Sequence, residues 1–351
     1  TPRRPRRRPP LLPADRSCCL SWHSDQRDGI PRGEADRFRR KNGPAREPLA
    51  AKESVPIHRE EILTAKSARV VITTAFPEFH GARVELLDEG WDFQVFEVDG
   101  RWLFRFPKRE ESIAKLNTER KLLFGLGEWV SLPVPSFEYF CESHESSGRP
   151  FAGYRKLPGV SGDASKMVDR HRVAGQLGVF LARLHTYPVG KAREAGVPEE
   201  RDLVVHWRDK SREQLRKLNG LDVNMGLLRR YLENDVPVSF EGASSLVHND
   251  LWAEHILVDT HSGGVSGIID WGDTAISDPA IDFACLYAWY GESWLENVLV
   301  HYTGQLDAEV ISRSRYLATC LAINNITLGR DLGRVQWVEA GYAALQLVLA
   351  T

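Results

Sequence analysis

The chain has few cysteines and no long hydrophobic segment. Its five cysteines stand at positions 18, 19, 141, 285 and 320, without the C-x-x-C spacing of zinc and redox motifs. This pattern argues against a disulfide framework and indicates a reducing compartment. No apolar run reaches the roughly 20 residues of a membrane-spanning helix, and the N-terminus lacks the apolar core of a signal peptide. We therefore expect a cytoplasmic protein with no membrane partner.

A large net charge is also absent. Lysine and arginine number 46, aspartate and glutamate number 48, and the formal net charge is -2. Such a balance gives no overall attraction to nucleic acid or to anionic lipid. We expect no nucleic-acid partner and a monomeric chain. Its 351 residues are enough for two lobes with a buried core.

The first 54 residues have little apolar periodicity and begin with the sequence TPRRPRRRPP. This composition is typical of a disordered basic tail. A tail that contacts nucleic acid or membrane is the alternative. A third interpretation is that translation starts near Val55, so that residues 1–54 lie outside the natural enzyme. The first methionine is Met167, and globular patterning begins near Val55.

The most informative stretch covers residues 246–283, LVHNDLWAEHILVDTHSGGVSGIIDWGDTAISDPAIDF. An apolar strand at 256–258 is separated by a polar turn containing two glycines from a second strand at 265–269. Strands joined in this way form a hairpin. The loop at Asp250 precedes the first strand and Asp270 ends the second, so the hairpin brings these two carboxylates close together.

These residues have the spacing that phosphoryl transfer requires. One carboxylate must orient the acceptor hydroxyl and accept its proton, and others must hold the metal ions on the phosphates. His248, Asp250 and His255 match the spacing of H-R-D-x-x-x-x-N in protein kinases, and Asp270 to Gly272 match D-F-G. An ordinary hairpin with surface acids is the alternative, but the combination of motifs favours the kinase interpretation.

The same segment resembles the core of the aminoglycoside phosphotransferase family, antibiotic kinases of protein-kinase-like fold. H-N-D-L-x-x-x-H-I-L and G-I-I-D-x-G-D-x-A-I-S-D-P are most similar to the aminoglycoside 2''-phosphotransferases. The resemblance implies that Asp250 is the catalytic base, that Asp270 binds Mg²⁺, and that Asp282 braces the catalytic loop through backbone N–H groups. His255 is implied as a second metal ligand, with a hydrogen bond to a metal-bound water as the alternative. It also implies ATP or GTP as the phosphoryl donor.

Other polar residues of this segment are interpreted as structural. Asp278 precedes a proline in a turn that starts a helix. His248 is expected to hydrogen-bond the loop into shape. His185, at the end of an amphipathic helix, is interpreted as a packing residue and not as a ligand.

A small lobe is predicted from residue 56 onward. Trp102 to Phe106 alternate in a way that suits a sheet with one buried face. Around this strand we predict a helix at 59–75 and strands at 83–87, 92–98 and 101–106. Residues 86–111 resemble the nucleotide-covering hairpin of the same kinases.

The resemblance places a phosphate-binding lysine on the third strand, where this chain has Arg105. Arginine also binds phosphate, through a forked donor group. A strand residue that faces solvent is the alternative for Arg105, and Lys108 is a possible substitute cation beyond the strand end. The helix predicted at 112–126 would supply Glu119 as the acidic partner, with a solvated helix face as the alternative.

The linker between the lobes is expected to bind the nucleotide base. Strands are predicted at 137–140 and 151–157, and a Pro-Gly pair follows the second. By position in the family, the base should lie against the main chain of Arg155, Lys156 and Leu157.

The large lobe is predicted to be mostly helical. The segment at 171–184 has a clear apolar stripe. The predicted helices cover residues 171–184, 208–219, 224–233, 283–289, 292–303, 308–329 and 333–350.

The acceptor pocket is the least defined part. Aminoglycoside kinases need acids for a polycationic substrate, and Asp273 and Glu292 are the candidates here. Residues 287–294 are more aromatic than acidic, and residues 324–327, Asn-Asn-Ile-Thr, stand where acids are expected. Trp289 is therefore a candidate wall for a larger, less charged acceptor. Core packing is the alternative interpretation of the aromatic residues.

We predict an α+β, bilobal protein-kinase-like fold, with a small antiparallel-sheet lobe at 55–157 and a mostly helical lobe at 158–351. The predicted function is transfer of a nucleotide γ-phosphate to a hydroxyl of an aminoglycoside-type antibiotic. A macrolide kinase or other metabolite kinase of the same fold is the first alternative. A nucleotide-binding pseudokinase is the second.

Overall fold

A computed structural model describes residues 62–142, 149–165, 168–218 and 223–349. These residues belong to one compact unit, His58–Thr351. The predicted tail at residues 1–54 lies outside the described residues. No described helix is both long and apolar enough to cross a membrane.

The small lobe consists of one helix and a five-stranded antiparallel sheet. Helix α1 (Ala65–Ala75) starts after Thr64, whose hydroxyl accepts the Ser67 N–H and caps the helix. The strands have the spatial order β1-β2-β3-β5-β4. They are β1 (Val84–Glu89), β2 (Phe93–Val98), β3 (Trp102–Pro107), β4 (Phe137–Cys141) and β5 (Phe151–Arg155). Aromatic side chains between α1 and the sheet form the core of this lobe.

Strand β3 is covered on both faces at its centre. Phe104 is fully buried on the α1 side, and Arg105, on the opposite side, is only 5% exposed. The second face is covered because α2 (Glu110–Trp129) follows the strand and packs against it. The prediction that only one face of the sheet is buried is therefore wrong at Arg105. The alternative prediction, that the Arg105 side chain faces solvent, is wrong as well.

The large lobe is mostly helical around one apolar core. Phe180, Phe283 and Tyr316 are fully buried within it. Long helix α9 packs against α5, α7 and α10. The helices are α3 (Arg170–His185), α4 (Val189–Ala195), α5 (Leu203–Lys217), α6 (Met225–Asn234), α7 (Ala280–Tyr290), α8 (Glu292–Val300), α9 (Val310–Leu332) and α10 (Val335–Leu349).

Two small sheets position the motif residues of the large lobe. Strand β8 (Ile256–Val258) pairs with β9 (Val265–Ile268) in the predicted hairpin, and β6 (Val160–Ser161) pairs with the other edge of β8. Strand β7 (Ser245–Val247) pairs with β10 (Ala275–Ser277). The segment after β7 and the segment after β9 therefore lie side by side.

The predicted element boundaries differ from the structure at several ends. Helix α1 starts at Ala65, after the Thr64 cap, and the part of the predicted helix at 59–61 lies outside the described residues. Strand β5 ends at Arg155, two residues before the predicted end. Helix α5 starts at Leu203, five residues before the predicted start. The α+β, bilobal protein-kinase-like fold is confirmed.

Candidate active site

The loop that carries Asp250 is held by hydrogen bonds to one buried carboxylate. Asp282, in the first turn of α7, accepts the Asn249 N–H at 2.8 Å and the His248 N–H at 3.0 Å. The Nε2–H of His185 donates to the same carboxylate at 3.1 Å, and its Nδ1 accepts the Tyr302 hydroxyl at 3.0 Å. These are the backbone contacts expected of Asp282, and His185 lies in the packing between helices.

Two residues of the site have left-handed backbone conformations. Asn249 has φ of 68° and Asp270 has φ of 61°. Such values are uncommon for residues other than glycine and persist where the surroundings restrain them. The Asn249 side chain supplies part of that restraint, since its Nδ2 donates to Glu200 Oε2 at 3.1 Å and to the Asp273 carbonyl at 3.0 Å.

His248 links the two motif segments from inside the lobe. Its Nε2–H donates to the Ile269 carbonyl at 3.0 Å, and its ring packs 4.6 Å from the ring centroid of Trp271. Its Nδ1 has no hydrogen-bond partner among the described residues. Burial lowers the pKa of His248 to about 4, despite the nearby Asp282 carboxylate. The imidazole is therefore neutral near pH 7.

His255 lies between the two motif carboxylates. Its Nδ1–H donates to the Asp250 carbonyl at 2.7 Å, and its Nε2 is 3.7 Å from Asp270 Oδ2. Burial lowers the pKa of His255, but the Asp250 and Asp270 carboxylates outweigh burial and the net shift is upward. Burial raises the pKa of Asp250; His255 opposes this rise and Asp273 adds to it.

Asp270 is more open to solvent than Asp250 and His255. Its side chain is 49% exposed, against 31% for Asp250 and 13% for His255. Burial raises the pKa of Asp270, but Arg105 and His255 lower it by a larger amount, so the net shift is downward. Asp270 is therefore ionised at neutral pH and available to a cation.

Arg105 and Glu119 form a buried pair next to Asp270. Arg105 Nη1 lies 2.6 and 2.7 Å from the two Glu119 carboxylate oxygens, and Nη2 lies 3.3 Å from Asp270 Oδ1. The guanidinium also packs 4.1 Å from the Phe93 ring centroid. Burial disfavours its charge, but Glu119 and Asp270 outweigh burial and raise the pKa of Arg105. Lys108 instead lies beyond the strand, where its Nζ donates to the Gly90 carbonyl at 3.2 Å.

The chemistry of these residues fits Mg²⁺ held jointly with nucleotide phosphates. No group of three or more His, Cys, Asp or Glu among the described residues forms a metal cage. Magnesium in kinases, however, is usually bound by one or two protein ligands plus phosphate oxygens and water. The raised pKa of His255 keeps its ring protonated near neutral pH, so a metal ion would have to replace the proton on Nε2, which lies 3.7 Å from Asp270 Oδ2. Nδ1–H would keep its hydrogen bond to the Asp250 carbonyl, and Asp270 and His255 would then act as a pair of donors.

The structure places the linker residues at the end of the small-lobe sheet. Arg155 pairs with Glu138 at 3.2 Å and stacks 4.5 Å from the Trp102 ring centroid. Lys156 Nζ donates to Glu97, and the Lys156 N–H donates to the Arg101 carbonyl at 2.9 Å. Both side chains therefore contact the sheet. A role in base binding would rest on main-chain groups around Leu157 and stays a prediction.

The predicted acceptor residues occupy different surroundings. Asp273 follows the D-W-G segment and binds the Lys115 ammonium group at 2.6 Å. Glu292 starts α8 and accepts the Tyr287 hydroxyl at 3.1 Å. Trp289 is half-buried and stacks on Tyr290, with 4.7 Å between ring centroids.

The rest of the aromatic segment packs against helix α3. Trp294 is buried, and its Nε1–H donates to the Arg170 carbonyl at 3.0 Å. Arg170 in turn stacks 4.2 Å from the Tyr290 ring centroid. The Asn324 side chain is also buried, where its Oδ1 accepts the Gln214 amide at 2.9 Å. Core packing thus accounts for Trp294 and Asn324, while Trp289 and Tyr290 keep a partly open face.

Two polar residues of the site were not identified from the sequence. Glu200 lies in the segment before α5 and reaches the Asn249 side chain. Lys115 lies four residues before Glu119 on α2 and reaches Asp273. The spacing of Lys115 from Glu119 puts both on one helix face, which is a signal the sequence contains. The segment around Glu200 carries no such pattern.

Three features define a protein-kinase-like phosphotransferase. They are the two-lobed fold, the buried cation–glutamate pair on the sheet lobe, and the H-x-D loop beside D-x-G. The model of the phosphotransferase enzyme family matches residues 83–313. The chain belongs to this family, and it is a phosphotransferase enzyme.

Several known proteins are similar to this chain. "Uncharacterized protein YcbJ" of Bacillus subtilis (strain 168) is 27% identical over 240 residues, covering 64% of this chain and 76% of the relative. Viomycin phosphotransferase of Streptomyces vinaceus is 45% identical over 58 residues, covering 16% and 20%. The GDP and kanamycin complex of APH(2'')-IIIa is similar in structure, with a TM-score of 0.65 and 28% identity, covering 81% of this chain and 98% of that one.

Proposed function

We propose that this enzyme transfers the γ-phosphate of ATP or GTP to a hydroxyl group of an aminoglycoside-type antibiotic. The observation that carries the proposal is the position of His255 between Asp250 and Asp270, with Arg105 and Glu119 adjoining Asp270. The solved complex of a relative with GDP and kanamycin supports a nucleotide donor and this class of acceptor.

In the proposed mechanism Asp250 orients the acceptor hydroxyl and accepts its proton as the bond to phosphorus forms. Its raised pKa suits a group that takes up a proton. Arg105, held by Glu119, steadies the phosphate oxygens. Asp270 and His255 would hold Mg²⁺, which when bound neutralises charge on the phosphates. Asp282 keeps Asp250 in place through the backbone of the loop.

The proposed acceptor contacts are Asp273, Glu292 and Trp289. Asp273 is half-exposed at the cleft, with one oxygen bound to Lys115. A macrolide or another hydroxylated metabolite is the second candidate acceptor, and the partly open face of Trp289 and Tyr290 favours it. A pseudokinase is less well supported, because the sequence contains both motif aspartates, Asp250 and Asp270.

We also propose that the lobes correspond to residues 55–157 and 158–351 and that the enzyme works as a cytoplasmic monomer. Two described cysteines, Cys285 and Cys320, are buried free thiols, which supports a reducing compartment.

The test is a phosphorylation assay with ATP and with GTP on kanamycin, viomycin and a macrolide, read by mass spectrometry. Asp250→Asn is the control and should lose at least about a hundredfold in turnover. We expect a phosphorylated aminoglycoside, a Michaelis constant that rises with salt, and a further rise in Glu292→Gln. Product on the macrolide alone, with Trp289→Ala as the costly change, would favour the second candidate. No nucleotide-dependent product and no nucleotide binding would refute both.

A further inference from the structure

The ammonium group of Lys115 joins two carboxylates from different parts of the molecule. Its Nζ donates to Asp273 Oδ1 at 2.6 Å and to Asp92 Oδ2 at 2.8 Å. The Lys115 side chain is 32% exposed, the Asp92 side chain 17% and the Asp273 side chain 52%. Burial lowers the pKa of Lys115, but Asp273 and Asp92 raise it by more, so the group is charged.

Asp92 joins the turn between β1 and β2 to the start of helix α2. It directly precedes β2 and also accepts hydrogen bonds from Arg109 at 2.5 Å and from Ser112 at 2.8 Å. Three side chains, Arg109, Ser112 and Lys115, therefore donate to this one carboxylate. Arg109 touches Asp92 without reaching Asp273, so it is a matched comparison for Lys115.

Asp273 belongs to the large lobe and follows the D-W-G segment. The stem of Lys115 passes over this segment, since a Cβ built on Gly272 would lie 4.0 Å from Lys115 Cδ. Lys115 therefore ties α2 to the stretch that also contains Asp270.

A second set of contacts links helix α2 to the D-W-G segment, one helical turn after Lys115. Glu119 holds Arg105, and Arg105 reaches Asp270 at 3.3 Å. Phosphoryl transfer in protein kinases requires the cation–glutamate pair and the D-x-G aspartate to be in place together. A helix attached at Lys115 presents Glu119 to Arg105 from the correct side, because residues four apart share a face.

We propose that Lys115 is a positioning residue for the phosphate site. By bridging Asp92 and Asp273 it holds α2 where Glu119 orients Arg105 beside Asp270. This proposal rests on the proposed phosphoryl transfer. The bridge is partly exposed, and such ion pairs are weak and screened by salt. It can therefore open when nucleotide enters or leaves, and its loss should slow the reaction without abolishing it.

The experiment uses three single variants, Lys115→Met, Lys115→Arg and Asp273→Asn. A double variant combines Lys115→Met with Asp273→Asn, and Arg109→Met is the control. Three quantities are measured on the full chain: hydrogen exchange of residues 110–123, the Kd for magnesium nucleotide, and kcat with the Michaelis constants. Hydrogen exchange needs neither nucleotide nor acceptor, so it still tests the bridge if no acceptor is found.

We expect Lys115→Met to speed hydrogen exchange in α2 and to weaken nucleotide binding by about two- to fivefold, the range of a partly exposed pair. Arg109→Met should change the exchange rate and the nucleotide affinity much less. Lys115→Arg should keep both near their wild-type values. The double variant should be no worse than either single variant, since both remove one bridge.

Two results would overturn the proposal. Equal effects of Lys115→Met and Arg109→Met would show that Lys115 only helps to anchor Asp92. A lower Michaelis constant for a cationic acceptor in Lys115→Met, with hydrogen exchange and nucleotide affinity unchanged, would show that Lys115 merely competes with the acceptor for Asp273.

Discussion

Replacing Asp282 by asparagine tests how the catalytic loop is held. The wild-type carboxylate accepts two backbone N–H groups, from His248 and Asn249, and the His185 Nε2–H, and it has no solvent exposure. Asparagine has the same shape, but one of its two acceptor oxygens becomes an NH₂ donor. At least one of the three native N–H donors must then face this NH₂ group inside the protein.

The size of the effect follows from those contacts. A buried donor without an acceptor costs about 1–3 kcal/mol, so Asp282→Asn should lose about 2 kcal/mol of unfolding free energy. Asp282→Ala leaves all three donors unpaired and should lose about 3–5 kcal/mol. Domains are stable by about 5–15 kcal/mol, so the asparagine variant should fold, with a Tm lower by about 4–8 °C.

Activity should fall by more than stability explains. Asn249 has φ of 68°, and the loop needs external restraint to keep that conformation. A shift of about 1 Å in Asp250 would cost up to a hundredfold in kcat. Nucleotide affinity should stay the same, since the contacts of Asp282 are with the loop and His185 and not with Arg105 or Asp270.

The assay pairs thermal unfolding with kcat measured well below Tm. Asp307→Asn is a suitable control, because Asp307 is 43% exposed and its partner Arg313 keeps a second carboxylate, Asp278. A lowered Tm in Asp282→Asn with wild-type kcat would refute the reasoning, since the loop would then keep its geometry without this carboxylate.

Three further predictions concern neighbouring groups. Asp270→Ala should weaken magnesium-nucleotide binding in calorimetry as well as turnover, because a metal ligand acts on both; unchanged affinity would count against the assignment. Arg105→Met should lose about 3–5 kcal/mol of stability in denaturant unfolding by leaving the buried Glu119 without its cation, and Arg105→Lys should lose less. The folded-state pKa of His248, about 4, is below its ordinary value of about 6.5, so the unfolded state binds more protons between these values. Wild-type stability should fall by about 3 kcal/mol relative to His248→Gln as pH drops through that window, and parallel pH profiles of the two proteins would contradict this.

Much of the site could be predicted because its residues are close in sequence. His255 and Asp270 flank the β8–β9 hairpin and Asp250 lies in the loop before it, and hairpin register follows from apolar alternation and turn composition. The position of Arg105 followed from its place on β3. Its burial did not, because the cover on that face comes from α2, which the strand pattern does not describe.

The remaining contacts join distant segments, and local patterns carry no information about them. Lys115 and Asp273 are 158 positions apart, and Asn249 and Glu200 are 49 apart. The exact end of β5 was also missed, since the strand pattern continues into Leu157 while pairing with β3 stops at Arg155. Pairing across a fold depends on tertiary packing, which overrides local preference.

The partners of the acidic groups decide how the cleft can recognise a cation. One oxygen of Asp273 already binds the Lys115 ammonium group, so the attraction of Asp273 for a second ammonium group is reduced. The described partners of Glu200 and Glu292 are neutral groups, the Asn249 amide and the Tyr287 hydroxyl, which leave the negative charge of each uncompensated. An aminoglycoside should therefore depend more on Glu200 and Glu292 than on Asp273. Because Glu200 also holds the loop next to Asp250, a cation bound there would bring its own hydroxyl groups toward the proposed base.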